Sequence, residues 1–156
     1  QEALARPLGF SLARWPRDPQ GIYFGGNDML MTPRQMATYG ELYLNCGRAG
    51  GTEVVPADWV ARSWVPRTRS RYGNDREYGY GWWLRDLAGE PSAYAWGYGG
   101  QFIFVVPSVR TVIVTTSDVN VRRERGDHLR AIYDVAGEIV AAIREAHGTA
   151  PGGTCG

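Results

Sequence analysis

An α+β fold, with an antiparallel sheet covered by a long C-terminal helix and two further helices nearer the N-terminus, follows from three features of the chain. Thr32-Pro33-Arg34-Gln35 is a helix start, residues 78–116 hold β-branched and aromatic runs cut by glycine and proline turns, and residues 127–146 repeat apolar side chains at helical spacing. Strands joined by short connections pair antiparallel. Helices followed by a block of strands and a closing helix make the α+β pattern.

Each element has its own signal. Residues 1–6 read as the tail of a helix running into Pro7, without the apolar stretch of a signal peptide. Residues 7–31 read as loop, marked by Pro7, Pro16, Pro19 and Gly25-Gly26. In the first full helix Thr32 is the cap, Pro33 suits the first helical position and Gln35 completes a capping box. Met36, Tyr39, Leu42 and Tyr43 form its apolar face, and it runs to about Asn45 with Gly47 as the stop. Gly50-Gly51 makes a hairpin-like turn, and Pro56 opens a second helix over 56–63.

The rest is sheet and covering helix. Residues 66–77, with Arg67, Arg69, Arg71 and Arg76, read as an exposed loop, and residues 78–84 as one aromatic strand. A turn at Gly89-Glu90-Pro91 precedes strands at 93–97, 101–106 and 111–116, with Pro107-Ser108 between the last two. Leu129, Ile132, Tyr133, Ala136, Ile139, Val140 and Ile143 share one helical stripe, with Asp127 as N-cap, so this helix lies across the sheet. Residues 1–147 then form the folded unit, and the Gly/Thr/Pro-rich 148–156 a flexible tail.

Composition narrows the function. A chain of 156 residues suffices for one domain, because chains near that length bury roughly 70% of their unfolded surface. The net charge of +1 argues against nucleic acid, which demands a basic stripe. No apolar run approaches the ~20 residues of a membrane span. All 17 basic residues are arginine, so no lysine serves as base, Schiff-base former or phosphate cradle. Cys46 and Cys155 allow a disulfide without requiring one. They have no zinc-like spacing with His128 or His147, and neither metal nor cofactor is expected.

Three stretches carry a resemblance. Gly25-Gly26 is followed by Met31-Thr32-Pro33-Arg34-Gln35-Met36-Ala37; then comes Tyr78-Gly79-Tyr80-Gly81-Trp82-Trp83; then Trp96-Gly97-Tyr98-Gly99-Gly100-Gln101, with apolar strands behind it. In this order they resemble the serine β-lactamase and penicillin-binding-protein superfamily, in particular its class-C-like branch of esterases, D-amino peptidases and 6-aminohexanoate-dimer hydrolases. The third stretch stands where that family carries Lys-Thr-Gly or His-Thr-Gly. The resemblance implies that an extended substrate lies along an edge strand. Trp96, Gly97, Tyr98, Gly99 and Gln101 would bind it, and the Gly100 amide would serve the oxyanion hole. Glycines at 97, 99 and 100 would let a ligand's backbone approach closely.

The departures are equally informative. Gly97 replaces the motif's lysine or histidine and Tyr98 its threonine, which removes a cation and favours a neutral ester or amide substrate. Ser-x-x-Lys is absent because lysine is absent. Tyr43-Leu44-Asn45 and Tyr72-Gly73-Asn74 match Tyr-x-Asn literally, but they follow Gly25-Gly26 where the family places its tyrosine before. Tyr43 reads as helix core and Tyr72 as polar loop. Ser117, Asp118 and His128 have no spacing that supports a triad, and His128 reads as a solvated cap residue.

The chain is therefore identified as the C-terminal portion of a serine hydrolase acting on a small-molecule or peptide-like ester or amide, with the nucleophile elsewhere and the isolated chain inactive. The alternative is a non-catalytic binding or interaction module that keeps the substrate groove. Its expected partner, beyond substrate, is the missing N-terminal half of the fold, or a second copy of itself. Members of this superfamily are often periplasmic or secreted.

Overall fold

The helix that begins at Thr32 shows how directly local sequence acts here. In the computed structural model, which describes residues 2–71, 76–119, 125–149 and 155, helix α1 spans Pro33–Leu44. The Thr32 side chain accepts from the Gln35 amide while the Gln35 side chain accepts from the Thr32 amide, so both halves of the capping box form. The helix stops where expected: Gly47, at φ +81°, donates back to the Leu42 carbonyl at 2.7 Å. A Cβ there would lie 1.8 Å from the Val55 carbonyl oxygen. Only glycine fits.

Strands β1 (Arg48–Ala49) and β2 (Thr52–Glu53) form the small hairpin around Gly50-Gly51, and helix α2 spans Ala57–Ser63. The main sheet follows in strict chain order: β3 (Thr68–Arg69), β4 (Glu77–Tyr78), β5 (Trp83–Leu87), β6 (Glu90–Gly97), β7 (Gln101–Val106) and β8 (Thr111–Thr115), all antiparallel. A 3₁₀ turn, Pro107–Val109, links β7 to β8. Helix α3, Arg125–His147, closes the chain's main body.

Alternation along β7 divides the interior in two. Phe102, Phe104 and Val106 face α3 and join Leu87, Tyr94, Ile132, Tyr133, Ala136 and Val140 in one core. Ile103 and Val105 face the other way, against Tyr43, Val60 and Trp82, as the two-residue period of a strand requires. In the first core Tyr94, Phe102, Phe104 and Tyr133 form a ring cluster with centroid separations of 5.0–5.9 Å, each such pair contributing about 0.5–1.5 kcal/mol beyond simple burial. The far end of α3 is tied down as well. Arg144 donates to the Ala88 carbonyl at 2.9 Å and meets Glu90 at 3.2 Å. The Ser108 hydroxyl and Arg144 together hold the Glu90 carboxyl below its usual range.

Five expectations need correction. Residues 66–77 are not loop throughout, because β3 and β4 lie within them; residues 72–75, including the Tyr72-Gly73-Asn74 match, lie outside the described residues. Residues 78–84 are not one strand. The chain leaves β4, reverses and re-enters as β5, because Tyr80 donates to the Ser63 carbonyl at 3.0 Å and Gly81 takes φ +82°. A Cβ on Gly79 would stand 2.1 Å from the Ser63 oxygen. Helix α3 starts before Asp127, which sits in its first turn rather than at its cap, still favourably placed for the helix dipole. Ile139 is not on the core stripe: it is 38% exposed. The turn after β5 is Ala88-Gly89, both at positive φ, leaving Glu90 and Pro91 inside β6.

Tyr43 is core, as expected, at 6% exposure. Cys46 and Cys155, left open by the sequence, form a disulfide across 109 positions. Cys155 packs against the second core, so the terminal stretch is fastened at that point. A closed loop of this length removes chain entropy from the unfolded state. The Cys46→Ser/Cys155→Ser variant should lose about 2–5 kcal/mol of stability, read as a lower urea midpoint. The unmodified chain should shift to the same midpoint under reductant.

Candidate functional site

Strand register decides what residues 96–101 can present. Gly97 pairs with Gln101, so Tyr98-Gly99-Gly100 is the turn of the β6–β7 hairpin, and neither strand is an edge of the sheet as a whole. The expected edge survives in a shorter form. Pairing of β6 with β5 runs from Leu87↔Glu90 to Trp83↔Tyr94 and ends there. Ala95, Trp96 and Gly97 continue past it, with no strand paired on that side among the described residues. A three-residue length of main chain is thus available to an extended ligand.

The turn itself is held rigidly from behind. The Gly100 carbonyl accepts from Thr115 Oγ1 at 3.0 Å and Ser117 Oγ at 3.4 Å, while the Gly99 carbonyl lies 3.3 Å from His128 Nε2. His128 comes from the first turns of α3 and is half-buried, not a solvated cap residue. It donates to Gly99 when Nε2 carries the proton. In a planar trans peptide the N–H points opposite to the C=O. The bond joining Gly99 to Gly100 therefore aims its carbonyl at His128 and its N–H, the Gly100 amide, away from α3.

The glycines have reasons internal to the chain. Gly99 and Gly100 sit at φ +76° and +96°. A Cβ on Gly99 would stand 2.6 Å from Val119 Cγ1, and one on Gly100 2.7 Å from His128 Nε2, 2.8 Å from Ile132 Cδ1 and 2.9 Å from Ser117 Oγ. Packing alone accounts for both, so clearance for a ligand need not be invoked. At Gly97 the crowding is milder, with Gln101 Cβ at 3.1 Å.

The other expected residues separate into two groups. Tyr98, 69% exposed, projects from the tip. Gln101 turns back into the sheet, donating to the Ser117 carbonyl at 2.7 Å and accepting from the Ser117 amide at 3.3 Å. That clasp fastens the hairpin to the chain after β8. Trp96 lies on the α3 face, stacked on Phe102 at 6.0 Å and edge-on to Trp83 at 6.0 Å. Ser117 and His128 meet at the turn, a convergence their spacing did not reveal. Both atoms hold backbone carbonyls there, which is the work of a scaffold rather than of a nucleophile and its base. Among the described residues no group of His, Cys, Asp or Glu could hold a metal ion. A cavity of about 460 Å³ bordered by Trp64, Glu77, Leu84 and Ala93 lies around Pro91 and Pro107, at the far end of β6, and none of residues 96–101 lines it.

Comparison with known proteins agrees with this architecture. The family model described as Beta-lactamase matches residues 3–137. Among solved structures, 24 chains match. One is a protein of Bacillus anthracis bearing the name 6-aminohexanoate-dimer hydrolase, 21% identical, with a TM-score of 0.63 over 85% of this chain and 33% of that one. The chain thus spans about a third of that protein's length, and the likeness is one of fold. No curated protein matches.

The turn geometry sets an expected pair of outcomes. Gly100→Ala should cost about 1–3 kcal/mol, from positive φ and overpacking against His128, Ile132 and Ser117. Tyr98→Ala, one residue from Gly99 but exposed, should change stability by less than about 0.5 kcal/mol. Denaturant unfolding of the two variants side by side reads the difference.

Proposed function

This chain belongs to the Beta-lactamase family, and from that membership we propose that it is the C-terminal part of a serine hydrolase that cleaves an ester or amide through an acyl-enzyme. Residues 1–147 would be the C-terminal portion of the hydrolase domain, followed by the tail at 148–156. The nucleophile would lie outside this chain: a Ser-x-x-Lys motif needs a lysine, and the sequence has none.

The observation that carries the reading is the unpaired main chain at Ala95, Trp96 and Gly97, running into a turn whose Gly99–Gly100 peptide is fixed by His128. An extended substrate would add along that edge by main-chain hydrogen bonds, with Trp96, Tyr98 and Gly99 beside it. Its scissile carbonyl would reach the Gly100 amide. A backbone donor held by the fold costs no reorganisation when negative charge develops, and one such donor contributes on the order of 2.7–4 kcal/mol in acyl transfer. Gln101 would act on substrate through the hairpin it clasps. Gly97 and Tyr98 supply no cation at the motif, which suits a neutral acyl group there.

Three features support a role for a further segment of protein against this one. Strand β8 is the outer strand of the sheet, Val135 and Ile139 on α3 are 52% and 38% exposed, and Ile22 and Leu30 are 66% and 67% exposed. Open edges and apolar patches call for a partner, either the other part of the fold or a second copy. Among the described residues no helix is long and apolar enough to cross a membrane. The absence of a motif cation at Gly97 and Tyr98 also favours a second reading, a binding module with the groove but no chemistry. A Ser-x-x-Lys followed by Tyr-x-Asn upstream of Gln1 would decide for the enzyme.

Alone, the chain should show no turnover of nitrocefin or p-nitrophenyl esters, and light scattering should find it self-associated. Turnover that survives removal of contaminating serine hydrolases by a serine-directed inhibitor would place the nucleophile within these residues and overturn the proposal. A clean monomer at high concentration would remove the case for a partner.

A further inference from the structure

The α3 face of the sheet holds a second cluster, beyond residues 97–101. Arg76 precedes β4, with its guanidinium carbon 5.3 Å from the Trp96 ring and 5.4 Å from the Tyr133 ring. The Arg85 guanidinium carbon sits 4.0 Å from the same Tyr133 ring. Both arginines are half-buried, and among the described residues no carboxylate forms an ion pair with either. Burying positive charge without a counter-charge is costly.

Unpaired donors gather at the same place. Arg76 Nε is buried without a hydrogen-bond partner, and the buried Tyr94 and Tyr133 hydroxyls have only each other within reach. Tyr94 is 0% and Tyr133 7% exposed. The two phenol rings are in contact at 5.8 Å. Burial first, and then the contact with the Tyr133 hydroxyl, push the Tyr94 phenol well above its usual range, so it keeps its proton. Buried polar groups in folded proteins are satisfied as a rule, and a concentration of exceptions calls for a cause. Here the polar groups are a guanidinium donor and two hydroxyls, the fixed charges are positive, and the rings of Trp83 and Trp96 pack edge-on to each other beside them.

We propose that Arg76, Arg85, Tyr94 and Tyr133 form a binding site for the carboxylate of a small organic molecule, with Trp83 and Trp96 receiving its apolar body. A planar carboxylate matches the guanidinium fork and accepts from the phenols. The site borders the unpaired edge of β6 through Trp96, yet it stands on its own donors, and its failure would leave the hydrolase reading untouched.

The test is titration of the chain with benzoate, acetate, inorganic phosphate and neutral benzamide, followed by the NMR signals of the arginine Nε–H and tryptophan indole groups. Benzoate should give saturable shifts at Arg76, Arg85 and Trp96, acetate weaker ones, and benzamide none. Arg85→Gln should weaken benzoate by about tenfold or more, the loss typical of one charged hydrogen-bond partner. Tyr94→Phe, which keeps the ring and therefore the core, should weaken it by a smaller factor. Absence of saturation in the unmodified chain, equal response to benzamide, or unchanged affinity in Tyr94→Phe and Arg85→Gln would overturn the proposal. Phosphate binding more tightly than benzoate would overturn the carboxylate assignment.

Discussion

The seating of α3 on the sheet through Tyr133 is the contact on which the rest depends. Tyr133 meets Tyr94, Phe102 and Phe104 from β6 and β7, and its neighbour Ile132 and, about one turn on, Ala136 share that core. This fixes both the depth and the rotation of the helix. Five residues before Tyr133, His128 is thereby brought against Gly99, and Ile132 against the bare Cα of Gly100. The orientation of one peptide bond in the β6–β7 turn is thus set by aromatic packing several residues away. Were α3 rotated by even a fraction of a turn, the Gly99 carbonyl would lose its partner and the Gly100 amide its fixed direction. The site's precision is borrowed from the core, as preorganised sites require.

How much of this could be read from sequence depended on the range of the interactions. Helix α1 was legible to its ends because its signals are local: a capping box at Thr32 and Gln35, and Gly47 where a left-handed residue stops it. The long apolar stripe gave α3 for the same reason. Residues 78–84 misread as one strand because the reversal is imposed by the Ser63 carbonyl, sixteen residues before Gly79. The stripe also claimed Ile139, since periodicity reports an apolar face but not what covers it. Residues 96–101 were recognisable as a unit from their glycines. That Gln101 faces the sheet and Ser117 and His128 meet behind the turn follows from register and helix seating, and no short-range pattern encodes either.

The glycines carry a further lesson. Glycine beside a candidate groove invites the explanation that a ligand needs the room. At Gly99 and Gly100 the space is already filled by Val119, His128, Ile132 and Ser117, and positive φ alone would favour glycine. What these residues offer a ligand is direction rather than clearance. Clearance comes from where strand pairing stops: β5 ends opposite Tyr94, and Ala95, Trp96 and Gly97 run on alone. An edge three residues long, set within a sheet, is also a safe one. It is too short to nucleate pairing with another chain, and in the proposed function it is the length along which an extended substrate would align.

Charge is distributed in the same economical way. A lysine or histidine at position 97 would place a titratable cation on the last residue of β6, beside the turn, where it could move protons as well as attract anions. This chain puts Gly97 there and sets the guanidinium of Arg76 over the ring of the preceding residue, Trp96. Arginine stays charged across the physiological range and its delocalised plane stacks on aromatic faces. Such a group holds an anion but does not act as a base. Under the carboxylate-site proposal, recognition of negative charge would lie with Arg76 and Arg85 on the α3 face, apart from the unpaired edge of β6.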